Sequence, residues 1–296
     1  MEKTEHIFEY INRLKIKIPT KDEFKELSKM FPIEPSSSDS GIVNFERGML
    51  LYGLIAINKP KTVLEIGTAE GYSTLCMAWA MTDYNIPGII ITIDPKSHDA
   101  KIERPTLSYN EKDHGVRLSR KELWEKYADK KWIEKIRVIS GFSHDVLRNK
   151  KQFAVDFAFI DGSHVFEAVK NDFFLVLRSA SDKFQILFDD YNPDNEYGVK
   201  KLIEDEVKEK FEVEYIETNA KKQRENMLNT NPDELIMCYI NSESLKKSLW
   251  DTYSEHEVDI FLRKYALFHK RLKARKNIEK KIPFLKKIRF RWWVKG

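Results

Sequence analysis

Two short apolar runs, each closed by carboxylates, constrain this chain more than any other feature. Residues 153–164 read F-A-V-D-F-A-F-I-D-G-S-H and residues 183–191 read K-F-Q-I-L-F-D-D-Y. Both are β-prone and too short for a buried helix. Between them Val169–Leu177 has the length and mixed polarity of a crossover helix. Strand, helix and strand at this spacing predict a βαβ unit whose strands are parallel and adjacent. Parallel neighbours end on the same edge of a sheet. Asp161, His164, Asp189 and Asp190 are therefore expected on one rim, the rim at which open α/β sheets bind ligands. Three carboxylates and an imidazole at one place repel unless a cation sits among them. Hard oxygen donors in that number suit Mg²⁺, Mn²⁺ or Ca²⁺ better than zinc.

The alternation extends on both sides of this unit. Thr62–Ile66 reads as a strand, followed by a turn over Gly67–Gly71 and a helix over Tyr72–Met81. Gly88–Ile93 is a second strand that ends at Asp94, and Ile136–Ile139 a third that ends in S-G-F-S at 140–143. After a charged helix over Gly198–Lys210 come strands over Phe211–Thr218 and Leu235–Ile240. The loop between these two is too short for a crossover helix, which predicts an antiparallel hairpin. Upstream, residues 1–33 read as two short helices, the second opened by the capping pair Thr20 and Glu23. Residues 35–41 read as a linker and Val43–Asn58 as a helix packed on the sheet. The expected fold is α/β, a doubly wound and mostly parallel sheet with its last strand antiparallel. The expected divisions are a helical segment and linker at 1–42, the α/β domain at 43–241, and a helical, basic extension at 242–296. One interruption, Lys96–Lys131, is longer than a plain crossover needs and reads either as a helix with a surface loop or as a lid over a substrate.

The turn after the first strand has its own chemistry. In V-L-E-I-G-T-A-E-G-Y-S, residues 63–73, the glycines stand four apart, so the G-x-G-x-x-G dinucleotide spacing is missing. Glu65 and Glu70 would repel a pyrophosphate and suit a ligand that carries an amine or a sulfonium. Asp94, at the end of the second strand, stands where an acid accepts the hydroxyls of a ribose.

Taken together, V-L-E-I-G-x-x-x-G-Y-S, I-T-I-D, S-G-F-S, F-I-D-G-S-H and F-D-D-Y resemble a class I S-adenosylmethionine-dependent O-methyltransferase over about residues 43–240. The closest groups are the metal-dependent catechol-type enzymes and the sugar O-methyltransferases of the macrocin and cephalosporin-hydroxylase-like kind. The resemblance implies that Glu65, Gly67, Gly71 and Ser73 line the methionine end of S-adenosylmethionine, that Asp94 holds its ribose, and that Gly141, Phe142 and Ser143 border its adenine. It implies Asp161, Asp189 and Asp190 as ligands of Mg²⁺ or Mn²⁺, and His164 at the place of the catalytic base. Catechol-type enzymes have a lysine where His164 stands and an asparagine where Asp190 stands. Both departures favour a sugar or glycan hydroxyl as the acceptor. His98, His114, His144 and His256 lack partner spacing and read as non-catalytic. Two other readings keep the fold: a cephalosporin-hydroxylase-like protein, disfavoured because no His-rich iron site is evident, and a non-catalytic nucleotide-binding module, disfavoured by the complete acidic set.

Charge distribution adds one expectation. The 296-residue chain carries a net +4, but the segment from His269 onward holds twelve Lys/Arg against Glu279 alone, leaving −7 for residues 1–268. The end of this segment, from Phe284, mixes cations with Trp292 and Trp293, which fits peripheral contact of residues 269–296 with an anionic, cytoplasmic membrane face and hence a lipid-linked acceptor. Nucleic acid is the less favoured partner for the same charges, since D-G-S-H occupies the place of a base-methylation motif. No run is long and apolar enough for a transmembrane helix, and the first residues lack the apolar core of a signal peptide. Cys76 and Cys238 read as buried thiols of a reducing compartment, consistent with a cytoplasmic protein. The sequence leaves the oligomeric state open, a homo-oligomer included.

Overall fold

A computed structural model describes residues 4–31, 45–103, 117–148, 153–193, 198–218 and 236–281. The expected linker at 35–41, residues 104–116 of the long interruption with His114, the loop before the last strand, and the segment from Phe284 with its tryptophans lie outside the described residues.

The strands are β1 (Thr4–His6), β2 (Thr62–Ile66), β3 (Ile89–Asp94), β4 (Ile102–Glu103), β5 (Arg117–Leu118), β6 (Ile136–Ser140), β7 (Val155–Ile160), β8 (Ala180–Tyr191), β9 (Val213–Glu217) and β10 (Ile236–Asn241). The helices are α1 (Ile7–Arg13), α2 (Lys21–Met30), α3 (Phe45–Asn58), α4 (Tyr72–Asp83), α5 (Arg120–Tyr127), α6 (Lys130–Ile133), α7 (Ser143–Val146), α8 (Phe166–Ser179), α9 (Gly198–Leu202), α10 (Leu249–Thr252) and α11 (Glu255–Lys281). A π-helical turn, Ile203–Val207, continues α9.

Among the described residues eight strands form one sheet in the order β1-β9-β10-β8-β7-β2-β3-β6. Strands β6, β3, β2, β7 and β8 run parallel. β10 is antiparallel to both β8 and β9. The expected parallel βαβ unit, β7-α8-β8, and the expected closing hairpin are both present. The edge strand β1 was not legible in advance; it pairs parallel to β9, with Thr4 opposite Tyr215.

Successive residues of a strand point to opposite faces, so buried strands feed two cores. Val63, Phe157, Phe159 and Leu187 pack with α1 to α4 on one face. Leu64, Ala158, Ile160, Ile186 and Phe188 pack with α8, α9 and α11 on the other. Each fully buried aliphatic or aromatic side chain of this kind contributes about 1.5–3 kcal/mol, which is why both faces read as continuous apolar runs. The N-terminal helices join the first core: Ile7 and Phe24 are fully buried, and the capping box of Thr20 and Glu23 is formed. Along α11, Val258 and Leu262 are buried, whereas Phe268 is 53% exposed. The apolar face of α11 loses its cover after the contact with α7 and α8. Cys76 and Cys238 are buried free thiols. Among the described residues, no helix is long and apolar enough to cross a membrane.

Candidate active site

Strand register brings the rim together. β2 pairs with β7 so that Ile66 faces Ile160, and β7 pairs with β8 so that Ile160 faces Phe188. The next residues, Gly67, Asp161 and Asp189, therefore share one edge. Asp161, Asp189 and Asp190 each offer an oxygen, all within 4.8 Å of one another. Asp190 has a left-handed backbone, φ 60°, which Asp tolerates better than most residues. That kink turns its carboxylate away from the ladder, and His164 Nδ1 lies 3.0 Å from its Oδ2.

A cation already stands among these acids. Arg47, in the first turn of α3, places Nη1 3.0 Å from Asp161 Oδ2 and Nη2 against Asp189 Oδ2. The second contact is a close ion pair without an aligned hydrogen bond, since Asp189 Oδ2 has no hydrogen-bond partner among the described residues. Burial pulls the Arg47 guanidinium down, but Asp189 and Asp161 outweigh it and hold it above its ordinary value. Burial pushes Asp161 well up and Asp189 up to about 6, against the pull of Arg47. The hydrogen bond to Asp190 raises His164. One guanidinium therefore offsets only part of the acidic charge, and three hard oxygens in this span remain a fitting donor set for a divalent ion.

The turn after β2 is braced from several sides. Asp94 Oδ2 accepts from the backbone amides of Thr68 at 3.1 Å and Ala69 at 3.0 Å, and Oδ1 accepts from the Lys96 amide at 2.6 Å. Arg120 Nη2 lies 3.3 Å from Oδ1. Asp94 thus holds the turn in place, in addition to standing beside the expected ribose position. Glu65 is fully buried; its Oε2 accepts from the Thr74 and Thr92 hydroxyls, while Oε1 has no hydrogen-bond partner among the described residues. Burial raises its pKa despite those hydrogen bonds. Ser73 lies at the start of α4 and is 7% exposed.

The glycines are required by packing as well as by any ligand. Gly67, φ +98°, would put a Cβ 2.0 Å from the Asp161 carbonyl oxygen. Gly71, φ +99°, would put one 2.3 Å from Trp124 Cζ2. At the end of β6, Phe142 is 54% exposed and Ser143 donates to Asp172 Oδ1. Asn171 Nδ2 donates to the same oxygen at 3.1 Å. Burial pushes the Asp172 carboxyl up to about 6. The expected residues thus fall into two neighbouring groups, the acidic rim with His164 and the braced turn with Glu65 and Asp94. Gly141, Phe142 and Ser143 flank them at the end of β6.

Four residues of this region were not legible as site residues. Arg47 lies in a helix that the sequence marks only as packed on the sheet. Arg120 and Trp124 lie in the long interruption, where the Ser119 and Glu122 capping pair could have marked α5. Trp124 Nε1 donates to the Glu70 carbonyl at 2.8 Å, so part of that interruption is packed core. Asp172 is one turn and a half into the crossover helix, among residues that read as buried. His98 meets the edge of Trp124, with ring centres 4.9 Å apart, and His144 is buried in α7.

Sheet order and rim define a doubly wound, mostly parallel α/β fold with an acidic edge. Residues 64–191 match the family model described as a methyltransferase domain. Among solved structures the chain is similar to the O-methyltransferase from Bacillus cereus in complex with SAH, at 18% identity, covering 78% of this chain and 95% of that one, TM-score 0.49. It is also similar to the O-methyltransferase TomG from Streptomyces achromogenes, involved in tomaymycin synthesis and in complex with SAM, at 17% identity over 78% and 93% of the two chains, TM-score 0.47. A methyltransferase from Geobacter sulfurreducens is 14% identical over 80% and 99%, TM-score 0.44. A search of the curated proteins finds no match.

Proposed function

We propose that the protein transfers a methyl group from S-adenosylmethionine to a hydroxyl of a sugar or glycan, with a divalent cation, Mg²⁺ or Mn²⁺, held by Asp161, Asp189 and Asp190. The observation that carries this reading is the acidic rim beside His164, set at the carboxyl ends of β7 and β8 within the residues that match a methyltransferase-domain model. S-adenosylmethionine supplies an electrophilic methyl on a sulfonium. Glu65 Oε1, buried and without a hydrogen-bond partner among the described residues, is the acceptor this chain offers to the ammonium of its methionine part. Asp94 stands at the ribose, with Gly141, Phe142 and Ser143 beside the adenine. A cation at the three carboxylates would lower the pKa of a coordinated hydroxyl and orient it.

His164 is the base in this reading. Its Nδ1 faces Asp190, so in the neutral ring Nδ1 carries the proton and Nε2 is the accepting nitrogen. Asp190 raises the basicity of that ring. Arg47 favours the ionised form of Asp161 and Asp189 against the pull of burial and holds both in place. The sugar acceptor rests on His164 and Asp190 standing where the catechol-type pattern has lysine and asparagine. The test is a pair of assays on the full chain. S-adenosylhomocysteine should raise the melting temperature, as a ligand of the native state must. Methyl transfer to sugar nucleotides or lipid-linked saccharides should stop in chelator and return with Mg²⁺. Absence of any S-adenosylhomocysteine shift refutes the cofactor, full activity in chelator refutes the metal, and transfer to phenols alone refutes the sugar.

A further inference from the structure

A cavity of about 690 Å³ opens between α7, α8 and the C-terminal helix α11. It shares no lining residue with the acidic rim or with the turn after β2, and one, Phe142, with the expected adenine border at the end of β6. Six cations line it: Arg148 beyond α7, Arg178 on α8, and Arg263, Lys270, Lys273 and Lys276 on α11. Asp145 is the one carboxylate among its described lining residues. Asp259 pairs with Arg178 and Arg263, at 3.7 and 3.8 Å. Cations gathered from α8, α11 and the residue beyond α7 repel, so a concave space among them attracts an anion.

Arg178 gives the site a fixed donor. Its residue is 9% exposed, and its Nη2 donates to the Leu147 carbonyl at 2.6 Å. Its Nε is buried without a partner among the described residues, a state that costs free energy until an acceptor arrives. The other wall is made of rings. Phe142 stacks on His144 with centres 5.5 Å apart, and His144 meets His269 at 4.7 Å. Burial holds both imidazoles below their ordinary value, so near neutral pH they supply ring surface more than charge.

We propose that this cavity binds a nucleoside diphosphate, its phosphates taken by Arg178 and the α11 cations and its base packed against the ring wall. The volume lies within the range of small-ligand sites, and Arg donors match phosphate oxygens in geometry as well as charge. The concavity separates this occupant from a lipid surface, because the rings face into a space between helices. The proposal does not depend on the methyl-transfer reading.

The test is calorimetric titration of the full chain with UDP, which lacks the adenine that the cofactor site would recognise. UDP should bind and pyrophosphate should compete with it. Lys270→Glu with Lys273→Glu, both exposed on α11, should weaken UDP binding at least tenfold and leave the S-adenosylhomocysteine melting shift unchanged. No heat with UDP, or equal binding by the double variant, overturns the proposal. Co-flotation with phosphatidylglycerol vesicles that persists in excess UDP assigns the cations to lipid and overturns it as well.

Discussion

Gly71→Ala isolates how the turn below the proposed cofactor is built. Gly71 is the N-cap of α4 with φ 99° and ψ 13°. An L-residue in left-handed backbone costs about 1–2 kcal/mol. The new Cβ would also lie 2.3 Å from Trp124 Cζ2. The indole cannot swing away freely, since Trp124 is 1% exposed, Nε1 is bonded to the Glu70 carbonyl, and His98 sits against its ring. Forcing a methyl into a filled site adds about 1–3 kcal/mol. The sum is about 2–5 kcal/mol, a large share of the ~5–15 kcal/mol that holds a typical domain together. Urea unfolding followed by circular dichroism measures it. Repeating the substitution in a Trp124→Leu background separates the two parts, because removing the indole edge relieves the clash and leaves the backbone cost. There Gly71→Ala should cost about 1–2 kcal/mol, for a coupling of about 1–3 kcal/mol between the two sites. Equal cost in both backgrounds would refute the packing argument, and a cost below 1 kcal/mol in the wild type would refute the backbone argument as well.

Arg47→Met leaves Asp161 and Asp189 without their buried partner and should cost about 3–5 kcal/mol; millimolar Mg²⁺ should raise the melting temperature of this variant more than that of the wild type, and equal responses would remove the acids from any metal site. His164→Gln should lower kcat about 10²–10⁴-fold with S-adenosylhomocysteine affinity unchanged; unchanged turnover would reduce His164 to a partner of Asp190. Asp172→Asn tests a pH effect. The folded carboxyl sits at about 6 against about 3.9 unfolded, so the folded state binds the proton more tightly. Its contribution is fully present below about pH 4 and is lost as pH rises through about 6, by roughly 3 kcal/mol. The asparagine variant should therefore gain stability relative to wild type between pH 5 and pH 8 in urea unfolding, and parallel curves for the two proteins would exclude the buried charge.

The strands at 62–66 and 155–160, the crossover helix between β7 and β8, and the antiparallel last strand were legible because period, length and turn chemistry are local properties of the chain. The meeting of Asp161, Asp189 and Asp190 followed from topology alone, since parallel neighbours must end on one edge. The partners of those acids did not follow. Arg47 reaches Asp161 across 114 positions of sequence, and nothing in the pattern of α3 says which carboxylate its exposed-looking turn will meet. Gly71 could be read as a ligand-binding glycine, but what fills the space beside it is Trp124, 53 positions further along in a stretch that read as loop or lid. Periodicity decides which face of an element is buried. Which side chain arrives from a distant element depends on how helices of different length settle on a twisted sheet, and that is decided by the packing of the whole.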